Sequence, residues 1–203
     1  MNSPREQSPE ALAIEVASLK KLVVDLSKYK RAMEAQEQLF RSLLMMSNVA
    51  SGKLMLRSVL LEISEVTREL LRAKDASLFI LNPTGVITES ILARGPTIQE
   101  EKTELIGKIL DKGLAGWVYR YRRMALVKDT QEDERWLNFA NQPYEVSSAL
   151  CVPFLRGSLV LGILTLTHPK PRHFNEDMAD FMKMFSPSIA IALDQARIYL
   201  EKS

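Results

Sequence analysis

From Leu12 onward, positions recur at a spacing of four then three: Leu12, Val16, Leu19, Val23, Leu26, Lys30, Met33, Glu37, Phe40 and Leu44. A mainly apolar seven-residue repeat sustained over this length is the pattern of a coiled-coil seam. With Leu12, Leu19, Leu26, Met33 and Phe40 at position d, the a positions fall to Val16, Val23, Lys30, Glu37 and Leu44. β-branched residues at a with leucine at d favour two parallel strands, so the repeat predicts a homodimer. Lys30 and Glu37 are its weak points, because in a parallel pair each faces its own copy. A second register keeps the d row and takes Leu22, Tyr29, Gln36 and Leu43 as the other, which removes both charges from the seam. The shared row predicts a seam able to shift between two registers, as a signalling helix needs. The alternative is an amphipathic helix that packs its stripe on its own domain.

The rest of the chain divides around this helix. Residues 1–8 are polar, contain a proline and read as a disordered tail; 9–50 read as the coiled-coil helix; 51–203 read as one domain that includes a C-terminal signalling helix. Ser51 is placed to cap a second helix whose apolar face is Leu56, Val59, Leu60, Ile63, Val66 and Leu70. Two strands, 77–81 and 86–93, flank the turn residues Asn82, Pro83, Thr84 and Gly85 and predict a hairpin. A charged helical stretch (97–113), a segment rich in small residues around Trp117, a short strand (124–129) and a polar loop with a short helix near Trp136 and Phe139 follow. Residues 148–168 predict two more strands turned at Arg156, Gly157 and Ser158. Asn175 then caps a last helix, where Pro187 predicts a kink or a break near Ser186. The fold class is α+β, an antiparallel sheet with helices gathered on its sides.

Composition narrows the function. Lys plus Arg total 27 against 25 Asp plus Glu, a net charge of +2, which supplies no general attraction to nucleic acid or to an anionic membrane. Cys151 is the single cysteine, which excludes an internal disulfide framework and fits a reducing cytoplasm. No apolar run approaches the ~18 residues of a membrane helix, and the polar start has no signal-peptide core, so a cytoplasmic chain is expected.

Three segments then fall in a telling order: GLAGWVYRYRRMALVKDTQEDERW at 113–136, SALCVPFLRGSLVLGILTL at 148–166 and FNEDMADFMKMFSPSIAIALDQARIYLE at 174–201. Together they make residues 52–203 resemble a GAF domain. The resemblance implies a central antiparallel sheet of five or six strands, a helical bundle on one face and a ligand-sized pocket on the other. It further implies that the first and last helices pack at a dimer interface, which would add Phe185, Ile189, Ala192, Ala196 and Tyr199 to the seam. By position, Phe79, Leu81, Trp117, Lys128, Asp129, Trp136, Phe139 and Cys151 would line the pocket around a small molecule of unknown identity.

No catalytic group emerges. The Asn-Lys and Phe motif of cyclic-nucleotide-binding members fails here, since Pro83 follows Asn82 and Phe139 is followed by Ala140, Asn141, Gln142 and Pro143. Cys151 lies inside a strand and is followed by Val152, unlike the cysteine that carries a bilin. A methionine sulfoxide reductase of this family needs more than one redox cysteine. His168 and His173 flank a Pro- and Lys-rich loop that reads as exposed and names no metal site. The expectation is a non-catalytic sensory or regulatory module, its output in a domain or signalling partner outside this chain, or else a scaffold for dimerisation and docking alone.

Overall fold

The computed structural model of the protein describes residues 8–47, 52–91, 113–137 and 145–201. Helix α1 runs Pro9–Ser47 and helix α2 Gly52–Leu70. Strands β1 (Asp75–Leu81) and β2 (Ile87–Ile91) follow, then helix α3 (Leu114–Tyr121) and strand β3 (Ala125–Val127). Strands β4 (Ser148–Arg156) and β5 (Leu159–His168) precede helix α4 (Glu176–Glu201). Among the described residues the sheet has five strands in the order β2-β1-β5-β4-β3, and every neighbouring pair is antiparallel. The stretch 97–113 up to Lys112, Ser51 and Phe139 lie outside the described residues.

One sheet face is covered by helices. Leu78, Ile80, Leu150, Val152, Phe154, Leu164 and Leu166 point into a core shared with Val59, Leu60 and Ile63 of α2 and with Met182, Phe185, Ile189 and Leu193 of α4. Gly162 has no room for a side chain against β1. A Cβ there would lie 2.9 Å from the Phe79 carbonyl oxygen and 3.5 Å from Leu193 Cδ1. The buried hydroxyls of Ser64 and Thr67 donate to the carbonyls of Leu60 and Ile63 at 2.8 and 2.6 Å, so α2 enters the core with no hydroxyl left unpaired.

Helix α1 starts where its chemistry says it should. The Ser8 hydroxyl accepts the Ala11 N–H at 3.2 Å, with Pro9 in the first helical position. Ser8, which the sequence reading assigned to the tail, is therefore the cap. At 39 residues the helix is about 58 Å long at 1.5 Å per residue. Ala32, Ala35 and Leu39 are buried in the domain core, on the helix face that also carries Lys28, bonded to Asp177 at the head of α4. The heptad row lies elsewhere on the cylinder: Leu12, Val16, Leu19, Val23, Leu26 and Met33 are exposed, from 47% at Val16 to 71% at Met33. Lys30 and Glu37 pair within their own helix, with Glu34 at 3.7 Å and Arg41 at 2.6 Å. Phe40 is half-buried, and the Leu44 side chain lies outside those described.

Two expectations for α4 change. Phe185, Ile189, Ala192 and Ala196, expected at an interface between chains, are buried inside this one. They form the stripe that α4 turns to its own core, and a stripe of this period serves either partner equally well. The Tyr199 side chain lies outside those described. Helix α4 also runs unbroken through Pro187. Proline lacks the N–H that would reach the Lys183 carbonyl, and the Ser186 hydroxyl makes a long contact of 3.5 Å with that same oxygen.

Candidate functional site

The pleat of the sheet sends alternate residues to the face away from α1, α2 and α4. There Phe79 and Leu81 of β1, Ala125 and Val127 of β3, Ala149 and Cys151 of β4 and Ile163 of β5 form a second apolar cluster. Helix α3 lies on it through Leu114, Ala115 and Val118. Arg122, in the left-handed region at φ 52°, ends α3 with its N–H on the Val118 carbonyl. The β1–β2 turn, where Gly85 has φ 84°, packs against α3, and a Cβ on that glycine would run into the Tyr119 hydroxyl. Asn82 builds that turn, its side-chain oxygen accepting the N–H groups of Thr84 at 3.0 Å and Val86 at 2.8 Å.

The segment after β3 carries the polar architecture. Asp129 Oδ1 accepts the Gln131 N–H at 2.9 Å and turns the chain. Asp133 then takes the Arg135 backbone N–H at 3.0 Å and its guanidinium at 2.8 and 2.6 Å. The same guanidinium donates to the Leu126 carbonyl at 3.2 Å and sits 4.9 Å from the centre of the Trp117 ring, a cation–π distance. That salt bridge holds the Asp133 carboxyl below the usual carboxylate range, against a smaller opposing effect of burial. Arg135 thus arrives with its charge balanced. Its neighbour Trp136 packs on the apolar cluster, and its indole N–H is buried with no acceptor among the described residues.

Cys151 lies at the centre of the cluster, fully buried, with Sγ 3.3 Å from Thr165 Oγ1. Burial pushes its thiol up to about 12, the Thr165 contact opposing only in part. A thiol so held stays protonated at neutral pH and is a poor nucleophile.

Of the residues expected to line a pocket, Phe79, Leu81, Trp117, Trp136 and Cys151 share one apolar cluster. Lys128 and Asp129 do not. Strand β3 ends at Val127, and Lys128 is exposed with its ammonium 3.1 Å from Glu176 on α4, while Asp129 serves its turn. Sequence reasoning missed Asp133, Arg135, Thr165 and Tyr119, although the first two stood inside the motif it used. His168 and His173 are also corrected: each is half-buried, and their rings stack with centroids 3.7 Å apart. No group of three or more His, Cys, Asp or Glu among the described residues could hold a metal ion. No helix among them is long and apolar enough to cross a membrane.

The GAF domain family matches residues 56–193, and the chain belongs to that family. It is 22% identical over 151 residues to a probable 3′,5′-cyclic phosphodiesterase of Caenorhabditis elegans, covering 70% of this chain and 21% of that protein. The chain thus spans about a fifth of the length of this curated relative. Among solved structures it is similar to the GAF domain of a phosphoenolpyruvate-protein phosphotransferase from Coxiella burnetii, with a TM-score of 0.60, 20% identity and coverage of 82% of this chain and 95% of that one. The free methionine-R-sulfoxide reductase of Neisseria meningitidis, crystallised with its substrate, gives a TM-score of 0.56 at 14% identity, covering 83% and 93%. At these identities the likeness speaks to the fold alone.

Proposed function

We propose that this chain is a non-catalytic sensory or regulatory GAF module that dimerises through α1, takes a small molecule on the sheet face beneath α3, and passes the change to an output domain or partner. The observation that carries the reading is the exposed row Leu12, Val16, Leu19, Val23, Leu26 and Met33, on a helix whose other face is already committed to the domain through Ala32, Ala35 and Leu39. A row of large apolar side chains at heptad spacing is stable in water when a second helix covers it. A parallel second copy brings the same row. The interface lies in α1 rather than in the buried stripe of α4.

A ligand on the second face is supported by the Trp136 indole N–H, a buried donor without an acceptor among the described residues; leaving such a group unpaired costs roughly 1–3 kcal/mol. Catalysis of the sulfoxide-reductase kind is not carried over, because Cys151 is the sole cysteine and its thiol is raised to about 12. Light scattering with native mass spectrometry tests both halves. A dimer carrying a bound small molecule is expected. A persistent monomer at high micromolar concentration would sink the dimer, and a dimer that never holds a small molecule would leave a scaffold.

A further inference from the structure

Both histidines of the chain lie at the ends of the same short stretch between β5 and α4. Their rings stack with centroids 3.7 Å apart and planes 10° from parallel, and their hydrogen bonds fix the protons. The Lys170 backbone N–H donates to His168 Nδ1 at 3.0 Å. That nitrogen keeps its lone pair, so the His168 ring is neutral with its proton on Nε2. His173 Nε2 lies 3.0 Å from the Leu71 carbonyl oxygen, which can only accept, so that nitrogen carries a proton. The His173 ring also stands edge-on to Phe174, at 4.9 Å and 88°.

The stack joins three elements. The His168 carbonyl takes the Ser147 N–H at 2.9 Å, the Lys170 carbonyl takes the Ser148 hydroxyl at 2.8 Å, and His173 reaches the end of α2 through Leu71. Directly beyond, Asn175 caps α4 by accepting the Met178 N–H at 3.0 Å. The charges around His168 oppose a proton on it. Burial is the largest cause, and the charges of His173, Lys170 on the same loop and Lys74 from the turn before β1 add to it, holding the ring below the ordinary histidine range although the Lys170 backbone hydrogen bond works the other way. Of the other charged groups on these elements, Asp75 at the start of β1 is in register with Thr167. Arg172 is exposed with its N–H on the Lys128 carbonyl, and Glu176 is engaged by Lys128.

We propose that the His168–His173 stack is a proton-operated latch that, while His168 is neutral, holds the β5–α4 loop against the end of α2 and, on acidification, releases it. A proton from solvent on His168 Nδ1 removes the acceptor of the Lys170 N–H and sets donor against donor. It also lays a cation on the His173 face beside Lys74 and Lys170. The released loop leads straight into the α4 head, where Glu176 is tied to Lys128 and Asp177 to Lys28, so the change reaches α1. The sign is definite. The neutral ring is the folded form, so the latch is complete above pH 6.5, the ordinary histidine value, and is lost as pH falls through the depressed one.

Amide exchange on the full chain, read as protection factors to remove the intrinsic pH dependence, tests this. Protection of the Lys170 amide in the wild type is expected to fall by about tenfold or more as pH is lowered from 7 until the depressed His168 value has been passed, a point marked by the imidazole nitrogen shifts of the same samples. In His168→Asn, whose side-chain oxygen accepts the same N–H and cannot become charged, it is expected to stay level. An equal fall in that variant, or no fall in the wild type, overturns the latch. Nitrogen chemical shifts of the wild type give a second reading that needs no variant: a neutral Nε2–H tautomer at pH 7 is expected, and an Nδ1–H tautomer overturns it.

Discussion

Lys28 Nζ lies 2.7 Å from Asp177 Oδ1, and this contact marks where the long N-terminal helix passes from free rod to part of the domain. Every residue from Pro9 to Val24 is exposed, whereas Ala32, Ala35 and Leu39 beyond it are buried. The bond to Asp177 also holds the Lys28 ammonium above its ordinary value. Replacing Asp177 with Ala should therefore raise proteolytic cleavage near Lys28 and Lys30 and leave the thermal midpoint of the domain nearly unchanged. A large drop in that midpoint would show that the contact supports the core and does not merely pin the helix.

The two faces of α1 predict opposite results for superficially similar changes. Leu19→Glu with Leu26→Glu falls on the exposed row, so the dimer should dissociate while the monomer's unfolding midpoint stays put. Leu39→Ala falls on the buried row and should cost about 2–5 kcal/mol of stability. Light scattering and denaturant unfolding on the same samples separate the two. Equal destabilisation by both would mean that the heptad row packs on its own domain.

The two faces of α1 explain what was legible in the sequence. Large residues at heptad spacing revealed the outer row as an apolar stripe, which is exposed in this chain. The inner row was hidden, since Ala32 and Ala35 are small and carry little hydrophobic signal, yet small side chains are what let two helices approach closely. For α4 the period was read correctly and its partner was not: Phe185, Ile189, Ala192 and Ala196 would look the same facing their own sheet or another chain. The hairpins and the Asn175 cap were legible because turn and capping chemistry is local. In the site, Phe79, Leu81 and Cys151, placed by the family resemblance, lie in one cluster. Lys128 and Asp129 fell inside the expected strand 124–129, but β3 ends at Val127 and leaves both in the turn beyond it. The Asp133–Arg135 pair escaped notice because its work is to hold a turn.

Cys151 gives a prediction with a fixed sign in pH. An acid whose folded value is raised keeps its proton in the native state after the unfolded chain has lost it. Stability contributed by the neutral thiol is thus intact below the ordinary value of 9.0 and declines as pH rises toward about 12. Cys151→Ala should flatten that decline relative to wild type in denaturant melts across this range. Native protein at pH 8 should also react with a thiol reagent more slowly than unfolded chain by orders of magnitude. Rapid labelling of the folded protein would show that the sheet face admits solvent to the sulfur.

Gly162 tests the close fit of β5 against β1. It pairs with Phe154 on β4 and with Ile80 on β1, and a Cβ there meets a backbone oxygen, Phe79 O, at 2.9 Å. A flexible side chain could swing aside, as Ile80 Cδ1 at 3.0 Å could, but the carbonyl is fixed by its ladder and cannot. Gly162→Ala should therefore cost about 1–3 kcal/mol through overpacking, visible as a lower denaturation midpoint with an unchanged slope. Because Leu193 Cδ1 would stand at an ordinary contact distance of 3.5 Å, Leu193→Ala in the same chain should recover none of the loss and should add the cost of its own cavity. A double mutant clearly more stable than the sum of its parts would show that the clash lies with α4 and not with the strand.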